Sequence, residues 1–201
     1  IFMGQPSVAA YTLSQDLLGT YDANVELRYS HWFNSVKNVG WVWLKYSVLT
    51  ASPASEVSSE FLLRLPEVYL NKAEALIMLG RTEEAIDVLS TLREKRLAAG
   101  TTDVIPTSQE DLVQFVRLER RLELCGEGHR WFDLRRYAVH PTFPEEKEIV
   151  HESVKNGSKI GYYRLAPYSE NSNNWVWPIP EDAVIFNDGA LVANERDGAP
   201  L

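Results

Sequence analysis

Cysteine is nearly absent from this sequence. Its single thiol, Cys125, excludes an internal disulfide and a zinc site built on several thiolates. Cations are in deficit: 20 Lys and Arg against 28 Asp and Glu leave a net charge of −8 and a pI near 5.1. Such a field repels phosphate backbones and argues against a general nucleic-acid binder. No run approaches the roughly 20 apolar residues of a membrane-spanning helix. The opening residues, from Ile1, form neither a basic n-region nor a long apolar core, so no secretory leader is read there. What remains is ordinary: 201 residues, 45% hydrophobic and 24% charged, the mixture of a globular chain and not of a disordered one. That length suits one domain or the larger part of two.

Texture changes along the chain. Residues 1–60 are rich in aromatics and turn signals and poor in helical periodicity. Residues 61–138 read as helical, and residues 139–201 as a loop followed by an extended, proline-marked C-terminal wrap. Together the three stretches are expected to form part of one domain.

In the helical stretch, Leu65, Tyr69, Ala73, Leu76 and Leu79 recur at spacings of four and three, one face of a helix. Gly80 is placed to end it in the left-handed conformation. Thr82 is expected to cap a second helix whose inner face is Ala85, Val88, Leu89 and Leu92, with Gly100 at its end. So short a turn makes the two helices antiparallel. Ser108, with Asp111 three residues on, opens a third helix, for which Phe115, Leu118, Leu122 and Cys125 form the expected buried seam. Gly126 and Gly128 interrupt it before a short fourth helix. Successive hairpins of this kind look like tetratricopeptide repeats, although about three repeats are needed for a continuous core.

Several motifs invite chemistry and then lose it. Glu119 and Glu123 lie one helical turn apart, and retaining glycosidases hold two carboxyl groups roughly 5–5.5 Å apart. Arg117, Arg120 and Arg121 crowd them, however, and would lower both pKa values and leave no proton donor. A structural ion-pair network with Arg130, Asp133, Arg135 and Arg136 is the expected reading. His129 and Asp133 share a helix face, but Glu127 and His140 lack the spacing to complete a metal site. No cofactor or metal is expected. Gly126-Glu127-Gly128 lacks the remaining glycines and lysine of a phosphate loop, and Cys125 on an apolar seam reads as core.

Aromatic placement says more. Tyr29, Trp32, Phe33, Trp41, Trp43 and Tyr46 lie within eighteen positions. If residues 41–46 are extended, Trp41, Trp43 and Lys45 share one face and Val42, Leu44 and Tyr46 the other. Adjacent indoles with a cation beyond them suit a flat ligand with polar edges, such as a sugar ring, whose C–H face lies on an aromatic ring. The stacking candidates are therefore Trp32, Trp41, Trp43 and Tyr46, with Asn34, Asn38 and Lys45 as polar partners. The competing reading packs these rings into the core. Trp175-Val176-Trp177, beside Pro178-Ile179-Pro180, reads as an anchor for the tail.

The helix Leu63-Arg64-Leu65-Pro66-Glu67-Val68-Tyr69-Leu70-Asn71-Lys72-Ala73-Glu74-Ala75 resembles one in the SusD/RagB glycan-binding lipoproteins. Leu118-Glu119-Arg120-Arg121-Leu122-Glu123-Leu124, then Glu127-Gly128-His129-Arg130-Trp131-Phe132-Asp133-Leu134-Arg135-Arg136, is similar to that family's signature almost letter for letter. Trp177-Pro178-Ile179-Pro180 is similar to its closing segment. Tyr21-Asp22-Ala23-Asn24 and Arg28 resemble an upstream motif, with Val25 and Glu26 where an Asp is expected.

The resemblance implies a mostly α fold of tetratricopeptide-like hairpins with long irregular, loop-rich flanks. It also implies a non-catalytic protein, lipid-anchored at the outer face of the outer membrane, that binds oligosaccharide or another nutrient. Its partner would be a SusC-like TonB-dependent transporter. The chain resembles the C-terminal portion of a member, with the lipidated cysteine lying outside it. Within that frame Glu119, Arg120, Arg121, Glu123, Glu127, His129, Arg130, Trp131 and Asp133 are expected to hold the scaffold, and residues 29–46 to carry the ligand face. The alternatives are a helical protein-interaction module and, behind it, a polysaccharide hydrolase acting through Glu119 and Glu123.

Overall fold

A computed structural model of the chain describes residues 13–37, 40–45, 63–155, 158–187 and 189–194. Its contacts divide the chain into two compact units, Ile1–Cys125 and Gly126–Leu201. The fold is mostly helical, with short strands in two antiparallel ribbons.

In the first unit the helices α1 (Gln15–Leu18) and α2 (Leu27–Trp32) lead into a ribbon of β1 (Phe33–Val36) and β2 (Gly40–Trp43). The helices α3 (Leu65–Met78), α4 (Thr82–Arg93) and α5 (Gln109–Glu123) follow, with α4 and α5 both packed against α3. The turn between α3 and α4 has a definite cause. Gly80 sits at φ +73°, and two bonds close the helix end, Gly80 N–H to Ile77 O (3.0 Å) and Arg81 N–H to Leu76 O (2.9 Å). This is the paired closure that a left-handed residue after a helix permits.

Three helical expectations are corrected in detail. Thr82 is the first residue of α4 and not its cap; Arg81 stands at the cap position and makes no side-chain capping bond. The helix ends at Arg93, well before Gly100, because the chain leaves it to pair with residues 25–27: Leu27 N–H donates to Arg96 O and Ala98 N–H to Val25 O. The buried faces are also rotated from the ones expected. On α3 the core residues are Leu70, Ala73, Leu76 and Ile77, while Leu65 and Leu79 are exposed. On α5 they are Leu112, Val113, Val116 and Leu122, while Leu118 is exposed. Ala85, Val88, Leu89 and Leu92 of α4 are buried as expected. Ser108 caps α5 as expected, accepting from Asp111 N–H at 3.2 Å.

The second unit opens with α6 (His129–Ala138), entered through Gly128 at φ +82°. Residues 139–174, expected as loop, instead hold an antiparallel ribbon of β3 (Ile149–Lys155) and β4 (Ser158–Leu165), with a register shift between Ser153 and Val154. A short 3-10 turn (Ser172–Trp175) and α7 (Glu181–Ile185) complete the unit. Trp175 is fully buried, its Nε1–H donating to Ala166 O at 2.8 Å and its ring stacked on Trp131 with centroids 5.3 Å apart. Trp177 is two-thirds exposed, although its ring also lies against Trp131 with centroids 5.7 Å apart.

Candidate functional site

Arg28 is the hub of the first unit's polar interior. Its guanidinium is 2% exposed and donates to three carboxylates. Nε and Nη2 grip Glu26 at 2.9 and 2.8 Å, while Nη1 reaches Glu119 at 2.6 Å and Glu123 at 3.2 Å. Arg93 then links Glu119 (2.5 Å) to Asp103 (2.7 and 2.8 Å). Glu123 receives Arg96 at 2.8 and 2.9 Å and Arg64 at 3.2 Å. Both Glu119 and Glu123 are essentially without solvent contact.

The partners of these two carboxylates differ from those expected. The neighbouring arginines on α5 point elsewhere, Arg120 to Asn71 and Arg121 to Asp16. Residues three or four apart on one helix could meet, but Glu119 and Glu123 face inward, toward arginines from α2, α4 and the turn after α4. In the second unit, Asp133 is buried and pairs with Arg136 at 3.0 Å. Glu127, His129, Arg130 and Trp131 around it are half-buried.

Electrostatics follow the geometry. Burial alone would raise the Glu123 pKa, but Arg96, Arg28 and Lys45 outweigh it and hold the carboxyl below its ordinary range. At Glu26 burial dominates, and the pKa is raised despite Arg28. Burial opposes the charge of Arg28, yet Glu119, Glu26 and Glu123 more than compensate, so its pKa is raised. Beside this network Tyr21 donates to Leu122 O (2.7 Å) and lies 3.0 Å from Cys125 Sγ; burial first, then Cys125, pushes the phenol strongly up. A thiol so placed is a packing group.

The aromatic residues gather around this core. Leu18, Tyr21, Phe33, Leu122 and Cys125 form a buried cluster on which Tyr29, Trp32, Trp41 and Trp43 rest. The pairing of Phe33 with Trp43 and of Ser35 with Trp41 turns both indoles to the cluster side of the ribbon. Trp43 lies 5.5 Å from Phe33, and Trp41 lies 5.3 Å from Tyr29, centroid to centroid. Both indoles are half-buried. Lys45 joins them: its ammonium sits 3.9 Å from the centroid of Trp32 and 5.8 Å from that of Trp43, and donates to Glu123 O at 2.5 Å.

The structure thus brings Trp32, Trp43 and Lys45 together, with Trp41 on the same side of the ribbon. Asn34 stands opposite Val42 and therefore on the other face. Asn38 and Tyr46 lie outside the described residues. Sequence reasoning missed Arg28 as the hub and Glu26, Arg64, Arg93 and Arg96 as its partners. The signal was a run of charged residues at helical spacing on α5 too regular for solvent alone. Among the described residues, no group of three or more His, Cys, Asp or Glu is arranged to hold a metal. No helix among them is long and apolar enough to cross a membrane.

The model of the SusD family matches residues 20–196. The chain belongs to the SusD family. Two curated relatives, both from Formosa agariphila, fit that assignment. SusD-like protein P38 is 41% identical over 98 residues, covering 46% of this chain and 20% of the relative. SusD-like protein P2 is 32% identical over 101 residues, covering 47% of this chain and again 20% of the relative. The matched segment is thus a fifth of each relative's length. A SusD superfamily protein from Bacteroides thetaiotaomicron shares the fold at a TM-score of 0.64 and 22% identity, over 96% of this chain and 41% of that one. Within this SusD fold, the first unit packs α4 and α5 on α3 and joins α2, α4 and α5 through the buried arginine–carboxylate network.

Proposed function

We propose that this chain is part of a non-catalytic cell-surface protein that binds an oligosaccharide or a similar nutrient. Membership of the SusD family across residues 20–196 carries the reading. In the full-length protein the bound glycan passes to a SusC-like TonB-dependent transporter, and a lipidated cysteine outside this chain ties the protein to the outward face of the outer membrane. The ligand lies against Trp32, Trp41 and Trp43, with Lys45 as a hydrogen-bond donor and Asn38 and Tyr46 as further contacts; Asn34, on the opposite face of the ribbon, drops out of the expected set. Half-buried indoles held by Tyr29 and Phe33 are rigid, so little side-chain freedom is lost when a sugar stacks on them.

The state of Glu119 and Glu123 supports a binding role over hydrolysis. Both are enclosed and bonded to arginines, out of reach of a glycosidic oxygen, and Glu123 is in addition held ionised. Calorimetric titration against an oligosaccharide panel tests the proposal. Saturable binding is expected, weakened about two- to tenfold by Trp43→Ala, the worth of one aromatic contact. New reducing ends released from the same panel would overturn it in favour of an enzyme. A complete lack of heat with every glycan would turn the reading toward a protein-interaction module.

A further inference from the structure

Trp41 and Trp43 each rest on a neighbouring ring, Tyr29 and Phe33, whereas Trp32 makes no ring–ring contact among the described residues. The group that meets its ring is the Lys45 ammonium, 3.9 Å from the centroid. Trp32 ends α2 and Lys45 follows β2, so the ribbon is what brings them together. Phe33 stands opposite Trp43, and one step further along Leu44 N–H donates to Trp32 O at 2.8 Å. That bond fixes the backbone of Trp32, and the ring turns about two further side-chain torsions.

Lys45 is itself held. Its ammonium donates to Glu123 O at 2.5 Å, a carbonyl at the last residue of α5 that Arg64 also reaches, at 3.1 Å. The last carbonyls of a helix have no partner within it and carry the negative end of its dipole, so a cation is favoured there. The same ammonium lies 5.8 Å from the Trp43 centroid. One half-buried cation thus joins two indoles from different elements to the end of the helix that carries Glu119 and Glu123. A cation over an indole face is attracted by the ring's negative π surface, more strongly when shielded from water.

We propose that Lys45 is a positioning residue of the ligand face: its charge, anchored on α5, sets Trp32 against Trp43 before a glycan arrives. The inference rests on the glycan reading of these indoles and adds that Lys45 acts through the rings, beyond any bond it donates to the ligand. A ring fixed in advance loses little freedom on binding, whereas a loose one must be ordered by the ligand.

Two substitutions separate the roles of Lys45. Lys45→Gln keeps a neutral donor for Glu123 O or for a ligand and removes only the charge over the rings, while Lys45→Met removes both. The probe is a set of neutral hexasaccharides of glucose, xylose, mannose or galactose, titrated calorimetrically into the whole chain. Both variants should weaken binding about two- to tenfold, the cost of ordering one side chain at the interface. In a Trp32→Ala background the same substitutions should change affinity less than about twofold, because the ring through which Lys45 acts is gone. Near-UV circular dichroism gives a second signature: the glycan should perturb the tryptophan bands of Lys45→Gln more than those of the parent. Parental affinity in Lys45→Gln, equal band changes in variant and parent, or losses that add fully to that of Trp32→Ala would each overturn the proposal and leave the glycan reading intact. Loss of the far-UV helix signal in Lys45→Gln would overturn it in favour of a structural cap on α5. Parental affinity in both Trp32→Ala and Trp43→Ala, or no heat with any of the hexasaccharides, would overturn it together with the reading of the site.

Discussion

Arg28 has three carboxylates within 3.2 Å of its buried guanidinium, Glu26, Glu119 and Glu123. Arg28→Met would leave Glu26, Glu119 and Glu123 enclosed with fewer cations than they need. Breaking a buried pair in this way costs about 3–5 kcal/mol, a large part of a domain's stability. Urea denaturation should show that loss, and a change under about 1 kcal/mol would mean the network is not what holds α2 to α5. Two glutamates of the same network should respond to acid in opposite directions. Glu123 has its folded pKa below the unfolded value near 4.5, so its contribution is complete above that pH and disappears as pH falls through the folded value. Glu26 has its folded pKa above 4.5, so its burial costs stability at neutral pH, and that cost is relieved as pH falls through the folded value toward 4.5. Relative to Glu26→Gln, the parent chain should therefore gain stability on mild acidification. Relative to Glu123→Gln, it should lose stability below about 4.5. Denaturation midpoints across that range give the comparison, and parallel curves would remove both assignments.

Helix boundaries separate what a sequence can tell from what it cannot. Ser108 and Thr82 look equally good as caps by residue type, yet only Ser108 accepts a backbone N–H. Ser108→Ala should cost about 1 kcal/mol and Thr82→Ala close to nothing. Thermal unfolding of the two variants would show it, with equal losses as the contrary result. The same limit explains the rotated faces. Hydropathy placed Leu118 inward on α5, and the glutamates were expected to pair with arginines near them in sequence, whereas Glu119 and Glu123 take inward positions because Arg28 waits there, 91 and 95 positions away in sequence. A helix-period reading sees polarity and not a distant partner. On α4, where the inner face is wholly aliphatic, the reading of Ala85, Val88, Leu89 and Leu92 needed no correction. The ribbon of β3 and β4 escaped notice for a related reason. Ile149, Val150, Ile160, Tyr162 and Tyr163 all keep substantial exposure, so no face of the ribbon is cleanly apolar and the two-residue alternation that marks a half-buried strand is weak.

At the scale of the chain, the net charge of −8 constrains how any ligand is held. The buried network spends its arginines on carboxylates of the same unit, so few of those cations remain to meet an anionic ligand. The family motifs in the sequence disclosed the scaffold because they are the scaffold: Glu119 and Glu123 sit inside it. The ligand face is less legible, since an indole that packs and an indole that stacks on a sugar are the same residue at the same spacing. Trp41 and Trp43 show both sides of that ambiguity, each with part of its ring on the aromatic cluster and part open. Stacking on a neutral sugar is indifferent to screening, whereas steering by surface charge falls with salt over a Debye length of about 8 Å at physiological strength. A neutral oligosaccharide should accordingly bind with nearly the same affinity in dilute buffer and at several times physiological salt. Titration calorimetry at the two salt concentrations measures this directly. A steep fall with salt would move the binding surface away from Trp32, Trp41 and Trp43, to charged groups elsewhere on the chain.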